Sequence, residues 1–297
     1  MRLMKAATLT VSDLERSKSL YCEWLDYSCV ETGAIDEGLA QSWGAPQTAG
    51  RKYCVLQPAS GAKVFIRMIE QPAVLEYRAL RSYGWAAIEI CNQDTLAVNE
   101  RMKKSPFEII GPPKELDGMP AIFPMQIKGP DQEIVYFTEI RADLEMYDLP
   151  RANSLIDKLF ILVIACRDIQ VTGAWLEKHL LIEKGRDIEI IYTMINQAFD
   201  LPMDTTHPIT TLKHERDVFL EIDTYPEEAI DRPQHAGMLP PCTAIGSFIH
   251  PDFDGLNRIN KAFWITPPQV QDGIIYNGKR AAALRSPDGT LIEMIEA

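Results

Sequence analysis

Ser286-Pro-Asp-Gly-Thr-Leu-Ile-Glu293 has a counterpart 157 positions earlier, Gly129-Pro-Asp-Gln-Glu-Ile-Val-Tyr136. Each begins as a turn: proline presets φ, and the aspartate side chain bonds back to its own backbone. Each then runs into a β-prone segment that is apolar on both faces. In the later copy Leu291, Glu293 and Ile295 share one face, so a carboxylate stands among apolar neighbours. Such a charge is costly to bury unless a cation or a hydrogen-bond donor meets it.

Working outward, the match proves to be part of a longer repeat. Lys63-Val-Phe-Ile-Arg-Met-Ile-Glu-Gln-Pro72 aligns with Asp217-Val-Phe-Leu-Glu-Ile-Asp-Thr-Tyr-Pro226 at an offset of 154, and Asp13 and Asp168 each close an apolar strand and open a helix at an offset of 155. Three near-equal offsets in order indicate a tandem duplication of about 155 residues. Apolar periodicity divides each half again. The first unit reads as a strand at 4–11, a helix capped by Asp13, and strands at 27–31, 51–57 and 63–69. The second has a strand at 84–90, a helix over 94–103, and strands at 107–110, 122–127 and 133–140. The third has a strand at 158–166, a helix from Asp168 and a strand at 218–223. Its segment 184–206 has no evident counterpart in the first unit and reads as a lid or side wall with a helix near 192–199. The fourth has strands at 242–249, 274–284 and 290–295 around a short helix. The reading places a first module at 1–140, a linker at 141–155 and a second module at 156–297.

The 297 residues are 46% hydrophobic and 24% charged, with a formal net charge of −12. That charge argues against nucleic acid or an anionic membrane as a partner, and its spread along the chain reads as a solubility surface. The six cysteines form no C-x-x-C pair, so neither a zinc knuckle nor a disulfide framework is indicated. The opening residues lack a signal peptide's apolar region and no run approaches a membrane span, so the expectation is a cytoplasmic protein. A phosphate-binding glycine loop, G-x-S-x-G and H-E-x-x-H are all missing from the sequence.

Thr8-Leu-Thr-Val-Ser-Asp-Leu-Glu-Arg-Ser17 with Tyr21 and Leu25, together with Arg285-Ser-Pro-Asp-Gly-Thr-Leu-Ile-Glu293, resemble the first strand and helix and the closing strand of the vicinal oxygen chelate superfamily. That group unites glyoxalases, bleomycin-resistance proteins and extradiol dioxygenases. The resemblance implies an α+β fold of four βαβββ units in two tandem glyoxalase-like modules, each a cupped mixed sheet flanked by helices. In metal-using relatives the ligands lie on the first and last strands of the units. Carried onto this chain, first-strand positions fall near Ala6, Trp85, Ile161 and Ile245, and last-strand positions at Arg67, Tyr136, Glu221 and Glu293.

The resemblance therefore leaves the first module metal-free, with Arg67, Trp85 and Tyr136 either converging on an aromatic or carboxylated ligand or filling the cup as core. In the second module Glu221 and Glu293 serve as metal ligands or as a catalytic acid–base pair, with His214 or His250 supplying a missing ligand through a shift of register. Alternatively, Glu293 is simply paired with a base such as Lys279 or Arg285. The implied cofactor is a divalent metal, with Mg, Mn, Fe and Zn not distinguished, or none. Ring-cleaving iron chemistry is disfavoured because it needs two histidines and a carboxylate. The functional expectation is lyase or isomerase chemistry on a small, partly apolar or aromatic molecule in the second cup; the alternative is metal-free sequestration of the bleomycin-resistance type. The expected partner is a small-molecule ligand, with no nucleic acid and no membrane, in a monomer or homodimer.

Overall fold

A computed structural model describes residues 1–116 and 118–297. The first unit contains β1 (Met4–Val11), α1 (Leu14–Trp24), β2 (Tyr27–Ala34), α2 (Glu37–Ser42), β3 (Lys52–Pro58) and β4 (Phe65–Glu70). The second contains β5 (Gly84–Asn92), α3 (Thr95–Met102), β6 (Glu108–Gly111), β7 (Ile122–Lys128) and β8 (Ile134–Ile140). The third contains β9 (Ile156–Cys166), α4 (Ile169–Leu180), β10 (Glu183–Ile191), α5 (Thr193–Ala198), β11 (Thr206–His214) and β12 (Asp217–Thr224). The fourth contains β13 (Cys242–His250), α6 (Phe253–Asn260), β14 (Gln269–Gln271), β15 (Lys279–Arg285) and β16 (Leu291–Glu296). Four βαβββ units are thus present. The third unit departs from expectation in one respect: its β10 and α5 are the counterparts of β2 and α2, hidden from sequence comparison because their side chains differ.

The strands form two curled eight-stranded sheets. Their composition corrects the expectation that each half closes its own cup. One sheet runs β14-β15-β16-β13-β1-β4-β3-β2 and so joins the fourth unit to the first; the other runs β10-β11-β12-β9-β5-β8-β7-β6 and joins the third to the second. The seams are antiparallel, β1 on β13 and β5 on β9. Periodicity reports which residues of a strand are apolar, and all four first strands are buried on both faces along nearly their whole length. It carries no record of which edge meets which.

The outer faces of the sheets pack against one another and against the helices in one continuous core that includes Leu9, Tyr21, Trp85, Ile88, Leu162, Leu176, Phe248 and Leu256. Trp85 sits in that layer, 6.3 Å from the Phe248 ring, with its indole N–H donating to the Leu291 carbonyl at 2.8 Å. Gly246 permits the close approach: a Cβ there would stand 2.6 Å from both Trp85 and Leu162.

The repeated turn adds a second clamp between the sheets. Asp131 accepts hydrogen bonds from the Ser12 backbone at 2.8 Å and the Ser17 hydroxyl at 2.7 Å, and pairs with Arg16 at 2.9 Å, all around the start of α1. Asp288 repeats this at the start of α4, accepting from the Arg167 backbone at 3.0 Å and from the Thr172 hydroxyl. The turn of each closing strand therefore docks on a helix of the opposite sheet. Those bonds outweigh the burial of Asp131 and hold its carboxyl below the usual range. No helix is long and apolar enough to cross a membrane among the described residues.

Candidate functional site

The register defines four equivalent places, one per unit, where first and last strands face each other. Thr8 lies opposite Arg67, Glu89 opposite Tyr136, Val163 opposite Glu221, and Ser247 opposite Glu293. The last-strand positions agree with those named from the sequence. The first-strand positions do not: Thr8, Glu89, Val163 and Ser247 take the places expected near Ala6, Trp85, Ile161 and Ile245. Because the units pair across the halves, Arg67 shares a cup with Glu293 and Tyr136 shares one with Glu221.

In the cup of the first and fourth units, Glu293 is 1% exposed and Arg67 2%. Glu293 accepts from the Trp43 indole at 2.8 Å, the Tyr276 hydroxyl at 2.9 Å and the Ser247 hydroxyl at 2.6 Å. The Arg67 guanidinium stands 3.9 Å from Glu293, donates to Tyr276 at 2.9 Å and to Thr8 at 3.0 Å, and lies 4.5 Å from the Trp43 ring centre. Trp43 follows α2, and Tyr276 comes from the connection between β14 and β15. With Ala45, Leu239 and Ile275 they pack this cup with buried side chains. The partner of Glu293 is thus Arg67 of the other half. Lys279 instead reaches the Ala297 carbonyl, and Arg285 the carbonyls of Gly289 and Trp43. The pairing of Glu293 with Glu221 expected from the sequence does not form.

The cup of the second and third units holds a cavity of about 320 Å³. Its walls are apolar: Pro112 and Leu116 from the loop after β6, Ile140, Phe160 and Ile188 from the sheet, and Met194 from α5. The segment read as a linker contributes as well, since Leu144, Tyr147 and Leu149 line the cavity and the Tyr147 hydroxyl meets Thr211 at 3.1 Å. The expected side wall is present in β10 and α5.

The polar residues lining this cavity include Glu89, Thr138, Tyr136, Tyr192 and Glu221. The Thr138 hydroxyl donates to Glu89, and the Tyr192 hydroxyl donates to Glu221 at 2.8 Å. Behind them lies Asp223, fully buried beside Glu221, with which it shares a hydrogen bond when one of the two carboxyls is protonated; neither of its oxygens has another donor among the described residues. The Tyr136 hydroxyl is also without a partner there, and its ring centre is 6.4 Å from that of Tyr192. Burial, reinforced by the neighbouring Glu221, pushes the Glu89 carboxyl up to about 8. Burial also raises Glu221, against hydrogen bonds from Tyr192 and Asp223, and raises Asp223 strongly, reinforced by the charge of Glu221 and its hydrogen bond to it.

Trp85, expected in a cup with Arg67 and Tyr136, lies between the sheets instead, and those two residues sit in different cups. His214 and His250 meet each other, with ring centres 5.5 Å apart, and neither lines the cavity. Among the described residues, no group of three or more His, Cys, Asp or Glu is placed to hold a metal ion. The donors in the open cup do not fit the histidine–carboxylate metal set that the resemblance implied.

Glu89 was missed in the sequence, although the argument that singles out Glu293 applies equally to Ala86-Ala-Ile-Glu-Ile-Cys91. Asp223 carries the same signal in Phe219-Leu-Glu-Ile-Asp223. Tyr192, Trp43 and Tyr276 have no local signal, since loops and short helices bring them in.

Along its length the chain superposes on glyoxalase I from Zea mays with a TM-score of 0.64, at 16% sequence identity, covering 99% of this chain and 92% of that one. It also superposes on a putative dioxygenase from Bacillus subtilis subsp. subtilis str. 168 with a TM-score of 0.63, at 13% identity, covering 99% and 86%. The fold is that of the vicinal oxygen chelate proteins. At such identities the likeness speaks for architecture, because this scaffold hosts many chemistries. The sequence matches no protein-family model, and a comparison with curated proteins returns no match.

Proposed function

We propose that this vicinal oxygen chelate protein is an enzyme of the lyase or isomerase type, moving a proton on a small, largely apolar molecule held in the cup of the second and third units. The observation that carries the reading is the pair of buried carboxyls, Glu89 and Glu221, lining one apolar cavity. Two acids in such a place do not both ionise cheaply, so near neutral pH one keeps its proton. Glu89, pushed up to about 8, is the acid. Glu221, whose ionised form is favoured by the Tyr192 hydroxyl, is the base. The apolar walls exclude water and strengthen both interactions.

The test is uptake of solvent deuterium into a panel of aryl hydroxyketones and vicinal dicarbonyls. We expect at least one compound to exchange with the native protein, and Glu89→Gln or Glu221→Gln to slow it by about a hundredfold or more. Exchange indifferent to both substitutions would sink the proposal. The largely apolar lining supports a second reading, sequestration of a hydrophobic compound; tight binding by native protein and both variants alike, without exchange, is its signature.

A further inference from the structure

We propose that the molecule taken up by the open cup carries a positively charged nitrogen, an amine or a guanidine, at its deep end, set against Glu221 and Tyr136. The inference rests on the reading of this cup as the working site and names the class of substrate it takes.

The filled cup contains the argument. Glu293 and Glu221 occupy equivalent last-strand positions, as do Arg67 and Tyr136. In the filled cup a guanidinium of the chain itself occupies the site, 3.9 Å from a buried carboxylate and 4.5 Å from an indole ring centre, with a phenol hydroxyl bridging the charges. Arg67 thus behaves as a built-in cationic ligand in a cage of carboxylate and aromatic rings.

The open cup keeps the cage and lacks the cation. Glu221 is in place, Tyr192 donates to it as Tyr276 does to Glu293, and Tyr136 replaces Arg67. Two further buried acids, Glu89 and Asp223, add to the negative side. Among the described residues, the lysine and arginine lining this cavity are Lys114 and Arg186, and both are exposed. The unpartnered Tyr136 hydroxyl marks polar capacity unused inside the protein.

Without a cation, Glu89 and Asp223 avoid the cost of burial by holding protons, the direction in which burial displaces both. A charged ligand meets the ionised Glu221 and displaces a proton from Asp223 behind it. Glu89, held by Thr138, keeps its proton, so the acid and the base of the proposed reaction both remain.

The experiment titrates the full chain, near pH 7, with benzylamine and naphthylmethylamine against their neutral isosteres, benzyl alcohol and naphthylmethanol, and against phenylacetate. Calorimetry in two buffers of different ionisation heat reads proton release. The amines are expected to bind at least about tenfold more tightly than the alcohols, releasing a proton, with phenylacetate weakest. Glu221→Gln is expected to erase the preference while its unfolding transition shows that it folds. Alcohols or phenylacetate binding as well as the amines, or no amine binding, would overturn the inference. If the preference is missing while deuterium exchange still depends on Glu89, this inference alone falls. If both are missing, the reading of the cup as the working site falls with it.

Discussion

The two cups are built from equivalent strands and differ in what the chain places inside them. One has a buried carboxylate met by a buried cation, two aromatic donors and a hydroxyl. The other has three buried acids, no cation from the described wall except at the exposed rim, and about 320 Å³ of space. Their backbones do not account for the difference. The segment after α2 drives Trp43 into the first, whereas α5 with the residue before it stops at the wall of the second with Tyr192 and Met194. A sheet cup costs the same backbone in either case. Whether it becomes core or cavity is decided by the side chains that the connections deliver.

The comparison breaks most readily at Arg67. Replacing it with Met leaves Glu293 buried and uncompensated, and urea unfolding should show a loss of about 3–5 kcal/mol. Glu221→Gln in the open cup should leave stability unchanged or raise it, because it removes one of three crowded acids. Similar losses for the two variants would show that the cups are balanced alike.

Next in size is the layer between the cups. Gly246→Ala sets a methyl 2.6 Å from Trp85 and Leu162, and Trp85 is tethered by its bond to Leu291. The expected cost is about 1–3 kcal/mol. Asp131→Ala and Asp288→Ala each remove a hydrogen-bonded clamp from a helix start, and each should cost about 1–2 kcal/mol. A neutral result at either aspartate would mean that the sheets are held together by their apolar layer alone.

The smallest effect sharpens the picture of the open cup. Its acids are raised in the folded state, so the folded protein binds more protons than the unfolded chain between the ordinary carboxyl range and about 8. The stability these acids contribute should therefore be fully present below the ordinary carboxyl range and be lost as pH rises through about 8, by on the order of 1 kcal/mol or more. A double Glu89→Gln, Asp223→Asn variant should flatten this slope in part. Glu221, and outside the cup Glu133, pushed up to about 8 by burial, and Asp217, also raised by burial, keep the remainder. A slope of opposite sign in thermal unfolding at several pH values would show the acids paired rather than crowded.

Much of the fold was legible because its signals are local. The duplicated turn, the aspartate caps at Asp13 and Asp168 and the apolar strands all lie within short stretches, and each cap bonds its helix start as its position predicts. The last-strand positions Arg67, Tyr136, Glu221 and Glu293 came from the family resemblance, which points to those strands, and the repeat aligns them in pairs. Glu89 was within reach of the argument that singles out Glu293.

What the sequence by itself determined is therefore the unit: four of them, in two repeated pairs, with a carboxylate or its replacement on each closing strand. Only the tertiary structure decided that the first unit closes on the fourth and the second on the third. That choice gives Glu293 a cation and leaves Glu221 among acids. The physical reason is that strand edges are alike in backbone chemistry, so pairing is settled by how whole faces pack and not by any pattern along a single strand.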